Sequence, residues 1–339
     1  MNSWLRRALL NLVGLGLAVL SAALTAPIAY ADGLPVLGID VGFTGVVSLR
    51  GDVRYVTLST ARGATTVARI SVHSGRVLAF RRLAGNLTIP AVAYDGSASG
   101  LSADGRTLVL IEPRRAFPRA RTTLAVVDPR RLQLRRRITL SGDFSFDAIS
   151  PEGRTMFLIQ YTSAKDPSRY NVRAFDLARG ALITRPVVDP REPDEAMRGA
   201  PITRLNSAEG RWAYTLYDGA GKTPFVHALD TRTGTARCVD LPMLRGRTDL
   251  WTLRLHSAGS EELAIGKGRQ TVALINRQNF GVSTPETPVG GGQRSWRLLL
   301  AGCGGLLALA VIGAALMIRR KTRAGAGAAS TARRHRATA

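Results

Sequence analysis

Few side chains in this chain of 339 residues have the identity and spacing that chemistry requires. There are four histidines, His73, His227, His256 and His335, and two cysteines, Cys238 and Cys303. A zinc site takes such ligands roughly two to five residues apart on a turn or helix, and none of the six has a partner at that spacing. His73, His227 and His256 stand isolated near the ends of expected strands and could meet only across the fold. Two cysteines also exclude a disulfide framework and an iron–sulfur cluster. A hydrolase nucleophile would sit in Gly-x-Ser-x-Gly between a strand and a helix. Asp95-Gly96-Ser97-Ala98-Ser99-Gly100 has the wrong spacing and no helix after it, so it reads as a mobile loop. The sequence therefore names no catalytic residue, no metal ligand and no cofactor.

Charged groups are plentiful but not arranged for catalysis. Lysine and arginine number 47 against 24 acidic residues, and only Lys165, Lys222, Lys267 and Lys321 are lysine. So strong an arginine bias is weak evidence about partners. The clusters Arg114-Arg115, Arg130-Arg131 and Arg135-Arg136-Arg137 lack interleaved aromatics for base stacking and read as a solvated surface; nucleic acid is not an expected partner. Asp189-Pro190-Arg191-Glu192-Pro193-Asp194-Glu195 is an acidic, proline-rich insertion, an exposed loop by composition and the best candidate for recognition. Asn86-Leu87-Thr88 matches a glycosylation sequon by pattern alone.

The elements that must carry these residues repeat. Ser102-Ala103-Asp104-Gly105-Arg106, Ser150-Pro151-Glu152-Gly153-Arg154 and Ser207-Ala208-Glu209-Gly210-Arg211 each open an apolar run, with fainter copies at Ser48 and Ser257. The serines lie 54, 48, 57 and 50 residues apart. A second landmark, Ser71, Asp128, Asp176, Asp230 and Asn276, follows the first after 23, 26, 26, 23 and 19 residues. Short polar side chains that bond the local backbone, followed by glycine, make tight turns, and apolar runs of four to six residues between turns are strands. The recurring aspartates thus read as turn caps, a role in which serine or asparagine can replace them. Four strands every ~50 residues is the spacing of a β-propeller. The last unit runs out near Thr284 with about three strands, and Val36-Leu37-Gly38-Ile39-Asp40-Val41 is the expected strand that completes it and closes the ring.

These Ser-x-Asp/Glu-Gly-Arg phrases resemble the Ser-Pro-Asp-Gly-Arg/Lys repeat of TolB-like propellers. The resemblance covers about 250 residues, is strongest in the three middle units, and implies an all-β propeller of about five four-stranded blades, or six. That family is a scaffold with binding, assembly and occasional enzymatic members, so no single function comes with it.

The two ends predict location. Arg6-Arg7, an apolar stretch from Ala8 to Leu24 and Ala29-Tyr30-Ala31 read as a signal peptide over 1–31, cleaved before Asp32; an uncleaved anchor is the alternative. Leu298 to Ile318 is 21 residues without a charge, long enough at ~1.5 Å per residue for a membrane-spanning helix. Arg319-Arg320-Lys321-Thr322-Arg323 follows, and the positive-inside rule holds that flank in the cytoplasm. The expected organisation is a propeller ectodomain over 32–284, a Pro/Gly-rich tether over 285–297, the span over 298–318 and a basic cytoplasmic tail over 319–339. That describes a single-pass protein of the cytoplasmic membrane whose propeller is extracytoplasmic. The expected function is a binding module for a protein or an anionic envelope polymer. The alternative is an exported lactonase- or hydrolase-like enzyme, which would need several His, Asp or Glu side chains converging in the central channel. Nothing in the sequence sets the oligomeric state.

Overall fold

The computed structural model describes residues 42, 44–60, 63–194 and 197–285. The expected signal peptide, the strand candidate 36–41, the span 298–318, the tail and, Pro285 apart, the tether lie outside the described residues. Among the described residues no helix is long and apolar enough to cross a membrane.

Among the described residues five antiparallel sheets follow one another along the chain. Sheet 1 is β1 (Val46–Val47), β2 (Val53–Thr60), β3 (Ala64–Ser71) and β4 (Val77–Ala84). Sheet 2 is β5 (Leu108–Ile111), β6 (Arg121–Asp128) and β7 (Gln133–Ser141). Sheet 3 is β8 (Phe144–Ile149), β9 (Thr155–Tyr161), β10 (Arg169–Asp176) and β11 (Ala181–Val187), with β12 (Met197–Arg198) added to β10. Sheet 4 is β13 (Pro201–Asn206), β14 (Trp212–Tyr217), β15 (Phe225–Asp230) and β16 (Thr235–Asp240). Sheet 5 is β17 (Arg254–Ala258), β18 (Glu262–Lys267), β19 (Gln270–Asn276) and β20 (Val282–Ser283). Apart from β12, which pairs with β10, each sheet is a meander in chain order, the local pairing expected of strands joined by tight turns.

The two repeated turns have fixed places. The serine turn joins first and second strands, and its Oγ accepts the amide at the start of the second, as in Ser102 with Thr107 at 3.0 Å and Ser207 with Trp212 at 2.9 Å. The aspartate turn joins third and fourth strands. Asp128, Asp176 and Asp230 each accept the amides two and three residues on, and Asn276 does the same at 2.9 and 3.1 Å.

This phase corrects the expected unit boundaries. The strand before each serine belongs to the same sheet as the strand after it, because a tight turn pairs its own flanks. Sheet 5 therefore has four strands, β17 to β20, rather than about three, while the expected closing strand 36–41 lies outside the described residues. The irregular sheet is the second, whose first strand shrinks to the single bridge Leu101–Leu108.

Burial explains why so many strands are apolar throughout rather than alternating: both faces are covered. Leu108 and Leu110 pack with Tyr55 and Val67 of sheet 1, while Val109 and Ile111 pack with Phe146 and Leu158 of sheet 3. Phe157 and Ile159 share a core with Tyr217 and Leu229 of sheet 4, and Tyr214 and Leu216 share one with Leu263 and Ile265 of sheet 5. The sheets thus stack face to face in chain order. Within sheet 3 the first strand is buried at every residue, whereas the fourth is mostly exposed. First strands inside and fourth strands outside is the blade order of a propeller.

Candidate binding site

The inner strands enclose a mouth. A cavity of about 90 Å³ is bordered by Val46, Val47 and Leu49 of sheet 1, Ala98 to Ala103 before sheet 2, Ala148 and Ile149 of sheet 3, and Asn206, Gly210 and Ala213 of sheet 4. Its polar groups are hydroxyls, an amide and backbone, and among the described residues no His, Asp or Glu lines it. The serine turns of sheets 2, 3 and 4 touch beside it. The Asp104 amide donates to the Pro151 carbonyl at 3.0 Å, and Gly153 lies against Thr107 and Gly210 against Ala103. Each of these turns carries an arginine after its glycine, Arg106, Arg154 and Arg211. Arg106 and Arg154 are exposed, and Arg211 is paired with Asp230 at 2.5 Å.

The segment read as a mobile loop is instead tied down across the centre. Ala91 and Ala98 form a bridge, the amides of Tyr94 and Asp95 donate to the carbonyls of Pro201 and Ile202 on β13 at 3.0 and 3.1 Å, and Tyr94 packs edge-on against Trp251. Asp95 accepts from the Ser97 hydroxyl and amide. The chain before sheet 2 thereby joins the inner strand of sheet 4. A glycine- and serine-rich composition signals a turn, but its partner strand is a hundred residues away in sequence, which local pattern cannot show.

Beside the mouth runs a polar seam between sheets 3 and 4. Strand register puts Arg204, Thr215, His227 and Cys238 in one row across β13, β14, β15 and β16. Arg204 donates to Asp147 of β8, both side chains being almost fully buried. The second carboxylate oxygen of Asp147 and the Thr215 hydroxyl have no hydrogen-bond partner. Tyr217 stacks on Phe225 and meets His227 edge-on, and the Tyr170 hydroxyl donates to the Gly199 carbonyl at 3.1 Å. Burial pulls the His227 imidazole down to a pKa of about 4 and raises the Tyr170 phenol, so both are neutral at pH 7.

The other singled-out residues are scattered. His73 is exposed on the β3–β4 turn and His256 is half-buried on β17, so the three histidines do not converge. Among the described residues no three His, Cys, Asp or Glu come together as a metal cluster. The 189–195 loop is exposed at residues 190–194, but Asp189 itself is buried. Burial opposes its ionisation, yet the Arg191 guanidinium and the amides of Arg191 and Cys238 hold its pKa at about 2.

The arginine clusters are not simply a solvated surface. Arg114 is 1% exposed, paired with Asp143 at 2.8 Å, bonded to Ser145 and seated over the Tyr161 ring. Arg137 donates to the Ala84 carbonyl of sheet 1 at 2.6 Å, and Arg136 to the Leu177 carbonyl in the β10–β11 turn of sheet 3 at 3.0 Å. They latch neighbouring sheets. Arg114 and Arg204, with Asp143 and Asp147, escaped sequence reasoning; the available signal was Asp147 inside the otherwise uncharged run Phe144-Ser145-Phe146-Asp147-Ala148-Ile149.

No family model and no curated protein sequence matches this chain. Solved structures do. It is similar to hydrazine synthase of Kuenenia stuttgartiensis, at 15% identity over 70% of this chain and 64% of that one, with a TM-score of 0.41. It is similar to TolB of Acinetobacter baumannii, at 12% identity over 68% and 50% of the two chains, with a TM-score of 0.37. A third similarity is to the β-propeller domain of Cps50 (Swd1) from Myceliophteria thermophila, at 13% identity over 68% and 65%, with a TM-score of 0.40. The chain thus spans between half and two-thirds of the length of these structures.

Proposed function

We propose that this chain is a membrane-anchored, extracytoplasmic propeller that binds a protein or an anionic cell-envelope polymer at the mouth formed by its inner strands. The observation that supports it is the composition of that mouth. The serine turns of sheets 2 and 4 bring Ser102, Ala103 and Gly210 to the cavity wall, and the repeated Asp/Glu-Gly-Arg sets a carboxylate and a guanidinium on each turn, at 104 and 106, 152 and 154, and 209 and 211. Such a rim offers a partner the exposed guanidinium groups of Arg106 and Arg154 together with hydroxyl and backbone hydrogen bonds. The export signal over 1–31 and the span over 298–318 support placing the mouth where envelope polymers are. The enzymatic alternative would need His, Asp or Glu converging in the channel.

A photo-crosslinking amino acid introduced at Ala103, on the rim, and separately at Ile183, exposed on the outer strand β11, tests this in native membranes. The reading expects a discrete adduct from position 103 that Arg106→Glu with Arg154→Glu reduces, and none from 183. Equal labelling at both positions, or an adduct indifferent to the charge reversal, would overturn it. Susceptibility of the adduct to protease or to glycan-degrading enzymes then separates a protein from a polymer.

A further inference from the structure

We propose, resting on the anchored reading of residues 298–318, that the outer edge of sheet 1 is a membrane-contact surface. Strand β4 lays the propeller against the anionic headgroups of the bilayer that holds the span.

Exposed apolar side chains are concentrated on this sheet. Of the eleven large apolar side chains that stand open among the described residues, seven fall between Val47 and Phe80. Phe80 is 73% exposed, Val77 57% and Leu78 45%, all on β4, whereas the outer strands β7 and β11 offer one each, Leu134 and Ile183. Such a cluster marks a contact surface rather than chance exposure. Strand register gives it a common direction. Val77 pairs with Ile70 and Phe80 with Ala68, so the extra residue Leu78 forms a bulge that turns Val77 and Phe80 to the same face. Ala79 and Leu83 take the other face, packed into the core shared with sheet 2. Val77 and Phe80 therefore point away from sheet 2.

The charges on that face are of one sign. Arg54 lies in line with Ile70 and Val77, and Arg82 follows Phe80 by two residues. Both are exposed, and neither has an ion-pair partner among the described residues. Strands β1 to β4 contain no acidic residue. On β7, by contrast, Arg135 is paired with Asp128, and Arg136 and Arg137 are spent on carbonyls of the flanking sheets. An apolar surface fringed by unspent guanidinium groups matches an anionic lipid interface, which takes apolar side chains below the headgroups and cations among them.

Two other occupants fit this face less well. A second copy meeting it about a twofold axis would bring the same basic patch against itself. Sheet 5, closing the ring, would leave most of it bare, because its fourth strand, β20, is two residues long against eight in β4. The place of the anchor favours the bilayer. The described strands end at β20, and the 13 residues of 285–297 reach at most about 45 Å when extended. The perimeter of the propeller thus stays close to the membrane. A contact tethered at that range needs only the affinity that matches its effective concentration, about millimolar.

The test reconstitutes the full chain in nanodiscs that carry a photoactivatable phospholipid, either in neutral phosphatidylcholine or with added phosphatidylglycerol. Lipid adducts are then mapped by peptide mass spectrometry. Residues 76–84 should be labelled in the anionic discs, and 181–187 on β11 should not. Arg54→Glu with Arg82→Glu should cut the β4 adducts by about tenfold or more. Phe80→Ser should reduce them as well. Neither variant should shift the melting temperature, because all three side chains are exposed. Phe80 should be open to hydroxyl radicals in neutral discs and shielded in anionic ones. Three results would overturn the contact and leave the anchor standing: a labelled 298–318 peptide with none on β4, equal β4 labelling in both discs, or Phe80 shielded in both, as sheet 5 or a second copy would shield it. Absence of lipid adducts from 298–318 as well would overturn the anchored reading together with the contact.

Discussion

The side chain of Asp230 shows how little of the repeat's chemistry is spent on anything but folding. It is buried, it accepts the amides of Arg232 and Thr233 at 3.0 and 3.3 Å, and it is clasped by Arg211 at 2.9 and 2.5 Å. Burial raises its pKa, but the guanidinium and the two amides outweigh that and leave it below the ordinary value of 3.8. A carboxylate lowered in the folded state adds stability above its unfolded pKa and loses it as pH falls through the folded one. Asp230→Asn should keep the two amide contacts, as Asn276 does at the same point of sheet 5, and lose only the charged pair. Asp230→Ala should lose both and cost about 1–3 kcal/mol. In urea unfolding from pH 7 to pH 3, the wild-type midpoint should decline below about pH 4, and the Asn variant should lack that share of the decline. Equal midpoints for Asn and Ala at pH 7 would mean the turn bonds contribute nothing.

Between elements, the serine turns matter as packing surfaces more than as links. Gly153 has φ +67°, and a Cβ there would fall 2.7 Å from the Thr107 Cβ and 2.4 Å from its hydroxyl. Gly96 has φ +85° but open space around it. Gly96→Ala should therefore cost only the left-handed backbone, about 1–2 kcal/mol. Gly153→Ala should cost about 1–3 kcal/mol more, because the turns of sheets 2 and 3 must part. Thermal melts of the two variants measure the difference. Equal losses would show that the turn-to-turn contact around the mouth carries no energy. The same argument covers Arg136 and Arg137, whose hydrogen bonds to carbonyls of the flanking sheets occupy acceptors a strand edge would otherwise leave to water.

At the scale of the whole molecule, the described residues form five successive meanders with a mouth lined by hydroxyl, amide and backbone groups and arginine-bearing strands at the edge. If the ends act as their composition predicts, the mouth faces the envelope. Arg319, Arg320, Lys321 and Arg323 would each cost ~2.5–3.5 kcal/mol at mid-bilayer, so the tail should remain inside. In intact spheroplasts, added protease should cut at Gly290–Gly292 or within the propeller and spare an epitope after Arg323. N-terminal sequencing should find Asp32 first. A tail cut from outside with the propeller protected would invert the topology, and the arginine clusters would then face nucleic acid.

The repeat was legible because it is local. Turns such as Ser150 to Gly153 and Asp230 to Gly234 are closed by bonds within a few residues, so their residue types are dictated by their own backbone, and the strands between them carry apolar runs because both faces are buried. Strand count, the near absence of helix and the capping role of the aspartates all follow from that. The phase of the repeat did not, since the strand before a serine and the strand after it look alike until pairing shows they share a sheet. Nor did the anchoring of residues 94–97 on β13, the burial of Arg114 and Arg204, or the meeting of His227 and Cys238 on adjacent strands. Each depends on contacts between residues distant in the chain or on which of two faces a side chain takes. Only the register of strands and the stacking of sheets decide those, because a one-residue shift would turn every such side chain to the opposite face.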